Sequence, residues 1–519
     1  MISQNLGTDG FYFPIVYQKN QKQVEDCLTK GDIDYADITR WSFPDEFLCF
    51  IWDRKLLEFI NSSYPNPREK NEVPIWFLIC CQFVMRLHQT GNYHHLGFLL
   101  NAGSLLTRFG FNIGAKKIGF NGKNKKTRKT VIHADTARKF FKDTNPSEIR
   151  EWYKHDLQKW FRDQRTFDHR GIFVLDQSHL VVPDNENYKN AVKMPVDEHG
   201  QLYHNLSSLT SAQKQALVYH RCYTLSTLLN VAMERPQFHV AGYELGAGNE
   251  DELPQAEKLV PAFCRQFNGV MKLLIIDRGY IDGEFIGKIK RDHNVDVLIP
   301  LKKNMIDAQD AITIATMQNK WECIAQEKNS HGKIILKKEI APVKDLALWD
   351  NFTGKMYACA TRYTYWDNKN EKYDERYSVL VSTKKFPDPK EIISHYDLRM
   401  QTEERFRQFK HAWYITDFPS PHEALVESHV CFTLLTYSLL QLYLQRKDLQ
   451  EKTHKMITTL RNDERLGIDA VLVYAREHYG IFDLDDYTAR VAGLQDTPRQ
   501  RLIATMEAQK EARLKREQK

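Results

Sequence analysis

Two short apolar runs constrain this chain more than any other feature: GIFVLD at 171–176 and KLLIID at 272–277. Each is of strand length and almost unbroken in its aliphatic or aromatic character. A strand apolar at every position has both of its faces covered. Around them lie further strand patterns, YTLSTLLNVAM, FHVAGYEL and VDVLIPL. Helical patterns alternate with these: EDELPQAEKLVPAFCRQF, with acids in its first turn, and DGEFIGKIKRDHN. Strands alternating with helices predict an α/β core whose sheet is at least partly parallel. In such sheets ligands collect at the carboxyl ends of strands, which is where Asp176 and Asp277 stand. Taken alone, either aspartate also reads as a turn former or helix cap.

The flanks have different textures. Residues 1–165 read as helical, with RKLLEFINSSY, VPIWFLICCQFVMRLHQ and PSEIREWYKHDLQKWFRDQ all apolar at three-to-four spacing. Within them AKKIGFNGKNKKTRK (115–129) holds seven Lys or Arg and no acid. It reads as a solvated loop or as an arm that tracks phosphates. Residues 320–385 alternate in strand fashion without helices, as a β-rich insertion would. The core then resumes over 386–446 and gives way, from 447 to 519, to a charged region expected to be helical.

A third acid comes from YDLRMQTEERFRQFK, 396–410. At about 100° per residue, Tyr396, Arg399, Glu403 and Lys410 fall within a sector of about 60°. Leu398, Phe406, Phe409 and Trp413 form an adjacent apolar stripe, and Glu404 lies away from the line. The plain alternative is an amphipathic helix with Glu403 in routine ion pairs. If the helix meets the two strand ends, three carboxylates make a hard, oxygen-rich site suited to Mg²⁺ or Mn²⁺. Two such ions can serve phosphodiester chemistry, with Arg399 and Lys410 holding phosphates and Tyr396 bonding a phosphate or stacking on a base.

Several classes of function are disfavoured. The nine cysteines form no CxxC pair, so they read as buried thiols and not as a disulfide framework or zinc site. There is no GxxxxGK[ST], hence no expected nucleotide cofactor. The N-terminus lacks a signal-peptide pattern. CFTLLTYSLLQLYL (431–444) is too short to span a bilayer and reads as a buried helix. A cytoplasmic location with no membrane partner is expected. The net charge of +6 is a weak pointer to nucleic acid.

The spacing Tyr396-(2)-Arg399-(3)-Glu403-(6)-Lys410 resembles the Y-R-E-K signature of one branch of bacterial insertion-sequence DDE transposases. The run Glu403 to Lys410, including Arg407, resembles that branch's E-x-x-F-R-x-x-K wording. DRGY at 277–280 and VLDQS around Asp176 resemble its two aspartate regions. The resemblance implies an RNase H-like catalytic core interrupted by a β-rich insertion, with Asp176, Asp277 and Glu403 as the catalytic, metal-binding triad. It implies that Tyr396, Arg399, Arg407 and Lys410 grip DNA. The implied activity is cleavage at transposon ends, then joining of the 3′-hydroxyl ends to target DNA, by a homodimer on double-stranded DNA with two divalent ions per site. The helical N-terminal region would bind terminal repeats, and Trp321, Trp349 and Trp366 are candidates to receive a flipped base. Met400 and Thr402 depart from the signature, which often has Trp and an aliphatic residue there. A DNA-binding relative without activity and a metal-dependent nuclease without strand transfer are the competing readings.

Overall fold

A computed structural model describes residues 18–41, 43–69, 73–101, 132–197, 202–203, 206–215, 217–233, 237–346, 352, 354–367, 370–452, 457–461 and 468–517. The basic run 115–129 and Trp349 lie outside the described residues. The chain forms two compact units, Met1–Ile149 with Ala412–Tyr443 and His454–Lys519, and Arg150–His411 with Leu444–Thr453.

The first unit holds a four-stranded sheet in the order Gln18–Lys19, His478–Asp483, Ile468–Ala475, Tyr35–Trp41. Both terminal regions, expected to be helical, therefore also supply strands. The C-terminal hairpin escaped notice because its two-residue turn, Arg476–Glu477, has positive φ at both positions without the Gly or Asn that usually marks one. Val24, Leu28, Val471, Val473, Phe482 and Leu502 pack together beside this sheet. Ile75–Leu87 is a helix buried on every side. Among the described residues, Glu423–Arg446 is the one helix apolar and long enough to cross a membrane, and its most apolar window is entirely buried.

The second unit is built on a ten-stranded mixed sheet. Its strands are β1 (Ile172–Val182), β2 (Val192–Val196), β3 (Val218–Ala232), β4 (Gln237–Ala247), β5 (Leu273–Ile275) and β6 (Asp296–Pro300). Four more follow: β7 (Glu322–Lys328), β8 (Ile334–Leu346), β9 (Met356–Asp367) and β10 (Lys372–Ser382). The order is β2-β3-β1-β5-β6-β10-β9-β8-β7, with β4 also paired to β3. Only β1-β5 and β5-β6 pair in parallel in this sheet, and β7 to β10 join it through the antiparallel β6-β10 pair. GIFVLD does not end its strand at Asp176. β1 continues to Val182 because its outer half pairs antiparallel with β3 after β5 has stopped.

Four helices position the chemistry: α1 (Glu252–Gln266), α2 (Gly283–His293), α3 (Ile306–Gln318) and α4 (Pro389–His411). One face of the sheet, with Phe173, Leu175, Leu274, Ile276, Val297 and Val381, packs against apolar residues of α1, α2 and α3, among them Phe263, Ile286 and Ala311. The opposite face carries α4, which crosses from β8 and β10 over β6 and β5 to β1. α4 ends at His411, so Trp413 is not on the helix as the wheel assumed. Its buried side is also less apolar than expected: Thr402, Arg405 and Gln408 are buried with Phe406 and Phe409.

Candidate active site

Strand register brings the two aspartates together. β1 and β5 pair in parallel as Ile172↔Leu273, Phe173↔Leu274 and Val174↔Ile275. Asp176 and Asp277 each stand two residues beyond the last of these pairs. Because side chains alternate along a strand, both point to the face that carries α4. Phe173 and Leu175, one residue out of phase, belong to the core on the other side.

Asp176 is 8% exposed. Its Oδ1 accepts from the Gln177 N–H at 2.9 Å, and its Oδ2 accepts from Arg399 Nη1 at 3.2 Å. Burial pushes its pKa up to about 7, against the opposing pull of Arg399 and the Gln177 N–H; Asp277 and Glu252 push it the same way as burial. Asp277 caps a 3₁₀ turn, Arg278–Tyr280, by accepting from the Arg278 N–H at 2.7 Å. Tyr396 donates its hydroxyl to Asp277 Oδ1 at 3.4 Å. Glu403, with 57% of its side chain exposed, accepts from Arg399 Nη2 at 2.7 Å one helical turn away.

The Arg399 guanidinium thus touches all three acids, Nη1 also lying 3.6 Å from Asp277 Oδ2. Burial would lower its pKa, but Asp277, Tyr396, Asp176 and Glu403 together hold it above the ordinary value. Burial and then the Asp277 charge push the Tyr396 hydroxyl well up. Both residues are locked by the acids they face. The three acids have the oxygen chemistry that a hard divalent cation takes. Among the described residues no three Asp, Glu, His or Cys side chains close on a common point, and Arg399 is the group that lies among these acids.

The other residues singled out in the sequence part company here. Glu404 pairs with Arg407 through two bonds of 2.7 Å and accepts from Gln408 at 3.1 Å. Arg407 is exposed and held on that side, away from the three acids. Lys410 is half-buried near Cys222, and desolvation lowers its pKa. Trp321 lies under the Arg362 guanidinium, 4.6 Å from the ring centre. Trp366, at the outer end of β9, carries the Lys333 ammonium 2.8 Å above its ring.

One acid was missed. Glu252, in the first turn of α1, has its pKa raised by burial and then by Asp277, with Arg399 and Lys302 opposing. An acid in a first turn is ordinary helix chemistry, so nothing local distinguishes it. The informative neighbour is Gly279: any Cβ there would overlap the Glu252 carboxylate.

The sheet thus sets two aspartates beneath a helix carrying a glutamate and an arginine, and the arginine touches all three acids. The family model "Transposase DDE domain" matches residues 167–439, more than half of the chain and all three acids. The chain belongs to the DDE transposase family. No curated protein matches it.

Proposed function

We propose that this transposase cleaves DNA at the ends of a mobile element and joins the freed 3′-hydroxyls to target DNA. The observation that carries the reading is the parallel register of β1 with β5, which leaves Asp176 and Asp277 each two residues beyond its last pair, with Arg399 touching both of them and Glu403. By the chemistry of their oxygens these acids would hold Mg²⁺ or Mn²⁺, two ions per site, which when bound would activate the attacking oxygen and stabilise the leaving one. Arg399 and Tyr396 exchange their carboxylate partners for the phosphates of the cleaved end, since a guanidinium binds either anion bidentately. Arg407, exposed on the same helix, contacts the duplex backbone. Lys410, partly desolvated, makes a shorter-range contact at the inner end of the helix. The Tyr396-Arg399-Glu403-Lys410 spacing supports membership in the Y-R-E-K branch. The run β1-β3-β4 antiparallel with β5 and β6 added in parallel supports an RNase H-like core. A homodimer pairs two ends, and the basic run 115–129 tracks terminal-repeat phosphates in this reading.

The test is cleavage of end-bearing duplex in Mg²⁺. Asp176→Asn, Asp277→Asn and Glu403→Gln each abolish cutting while gel-shift affinity for the same duplex is largely kept. Cutting retained in any one of them removes that residue from the triad. Wild-type protein that cuts without forming joined products would be a nuclease.

A further inference from the structure

The C-terminal helix, Asp496–Glu517, is held to the first unit by one side. Leu502 is buried in the core beside the four-stranded sheet, Pro498 lies against Gly31, and Gln509 Nε2 donates to the Asp34 carbonyl at 3.1 Å. At about 100° per residue these three fall within about 40° of one another. Ile503, Glu507, Lys510 and Leu514 fall on a different line, within about 60°, and that line is turned about 130° away from the anchored side.

All four residues of this line are exposed, Ile503 at 47% and Leu514 at 49%. Met506, 42% exposed, flanks them. Single exposed apolar residues are ordinary on a protein surface. These are not scattered: their spacing of four, three and four is that of a coiled-coil seam. The two central positions carry opposite charges, and among the described residues neither Glu507 nor Lys510 is in an ion pair.

Such a seam is complementary to itself in one orientation. When two copies of the helix lie antiparallel about a two-fold axis between residues 508 and 509, Ile503 faces the partner's Leu514 and Glu507 faces the partner's Lys510. Each pair then occurs twice, as in any isologous contact. In a parallel pair, glutamate would face glutamate and lysine would face lysine, which repels. The seam is about 17 Å long. That is below the length of a self-sufficient coiled coil, so the contact is weak alone and gains strength where DNA holds two copies together.

We propose that the line Ile503-Glu507-Lys510-Leu514 is a homodimer contact, in which the C-terminal helices of two copies of this chain pair antiparallel. The proposal gives the end-pairing dimer of the functional reading its surface, and rests on that reading for its purpose.

The experiment is sedimentation equilibrium of the full-length protein at low salt over a concentration series. Wild type is expected to show a reversible monomer–dimer equilibrium. Glu507→Lys and Lys510→Glu each turn two attractive pairs into repulsive ones, and each should weaken the dimer by about 10-fold. Mixing the two variants should restore wild-type affinity, because every lysine then faces a glutamate; that rescue also shows that both are folded. Ile503→Glu should remove the dimer. Orientation is read by mild oxidation in a Cys323→Ser background, since Cys323 is the exposed cysteine. Ile503→Cys protein mixed with Leu514→Cys protein should crosslink, whereas neither should crosslink alone. A dimer indifferent to the charge swaps, or crosslinks formed by either cysteine variant alone in place of the mixture, overturns the proposal. Wild type that stays monomeric yet cuts end-bearing duplex in Mg²⁺ drops this inference and leaves the functional reading standing. A dimer that behaves as expected without cutting does the reverse.

Discussion

The two faces of β1 and β5 do opposite work with the same few residues. Phe173, Leu175, Leu274 and Ile276 point into a layer of aromatic and aliphatic side chains, with Phe173 and Phe263 ring centres 4.9 Å apart. One residue out of phase, the strands run from Val174 and Ile275 out to Asp176 and Asp277, which meet an arginine, a tyrosine and a glutamate from α4. The first face gains free energy on folding by removing apolar area from water. The second gives some of it back by burying Asp176 and crowding like charges. Stability and chemistry are therefore separated by strand alternation and not by domain.

That contrast can be broken experimentally, and the largest effect lies on the apolar face. Phe173→Ala should destabilise the protein by about 3–5 kcal/mol in denaturant unfolding, from lost transfer energy plus a cavity. Molecules that remain folded should keep their cleavage rate. A rate loss without a stability loss would mean the two faces are not separable.

The next effect is on the acid face and carries the opposite sign. The folded pKa of Asp176 is raised, so its contribution to stability is full at low pH and is lost as pH rises from about 4 to about 7. Asp176→Asn should remove that loss. Without added metal the variant should match or trail wild type at pH 4 and exceed it at pH 8, by about 4 kcal/mol. A variant less stable than wild type at pH 8 would show that the Arg399 pairing outweighs the desolvation of the acid.

The smallest effect belongs to the outer edge of α4. Arg407 and Glu404 form an exposed pair, which salt and solvent weaken. Arg407→Ala should leave the unfolding midpoint where it is. It should also lower the salt dependence of DNA binding by about one phosphate contact. An unchanged salt slope would take Arg407 off the DNA path.

Much of this was legible in local pattern. The unbroken apolar runs announced covered strands, and the wheel separated Glu403, which reaches Asp176 and Asp277 through Arg399, from Glu404, which pairs with Arg407. The strands between 322 and 382 were visible as alternation without helical spacing. What failed locally failed for identifiable reasons. The hairpin at Arg476–Glu477 lacks the usual turn residues, and the extension of β1 depends on a partner strand some fifty residues on. Arg405, which nothing in the local pattern singled out, is fully buried against the Phe238 ring, 4.3 Å away.

From its sequence alone this chain specified the residue types and periods of its core, and with them the two aspartates and the one glutamate whose spacing resembles a transposase signature. Those are consequences of backbone geometry, which acts over a few residues at a time. Only the tertiary structure decided that Arg399 would sit among three acids, and that Glu252 would arrive from the far side of the sheet to rest on Gly279. Such meetings depend on strand register and on which face each helix covers, neither of which is written within any single segment.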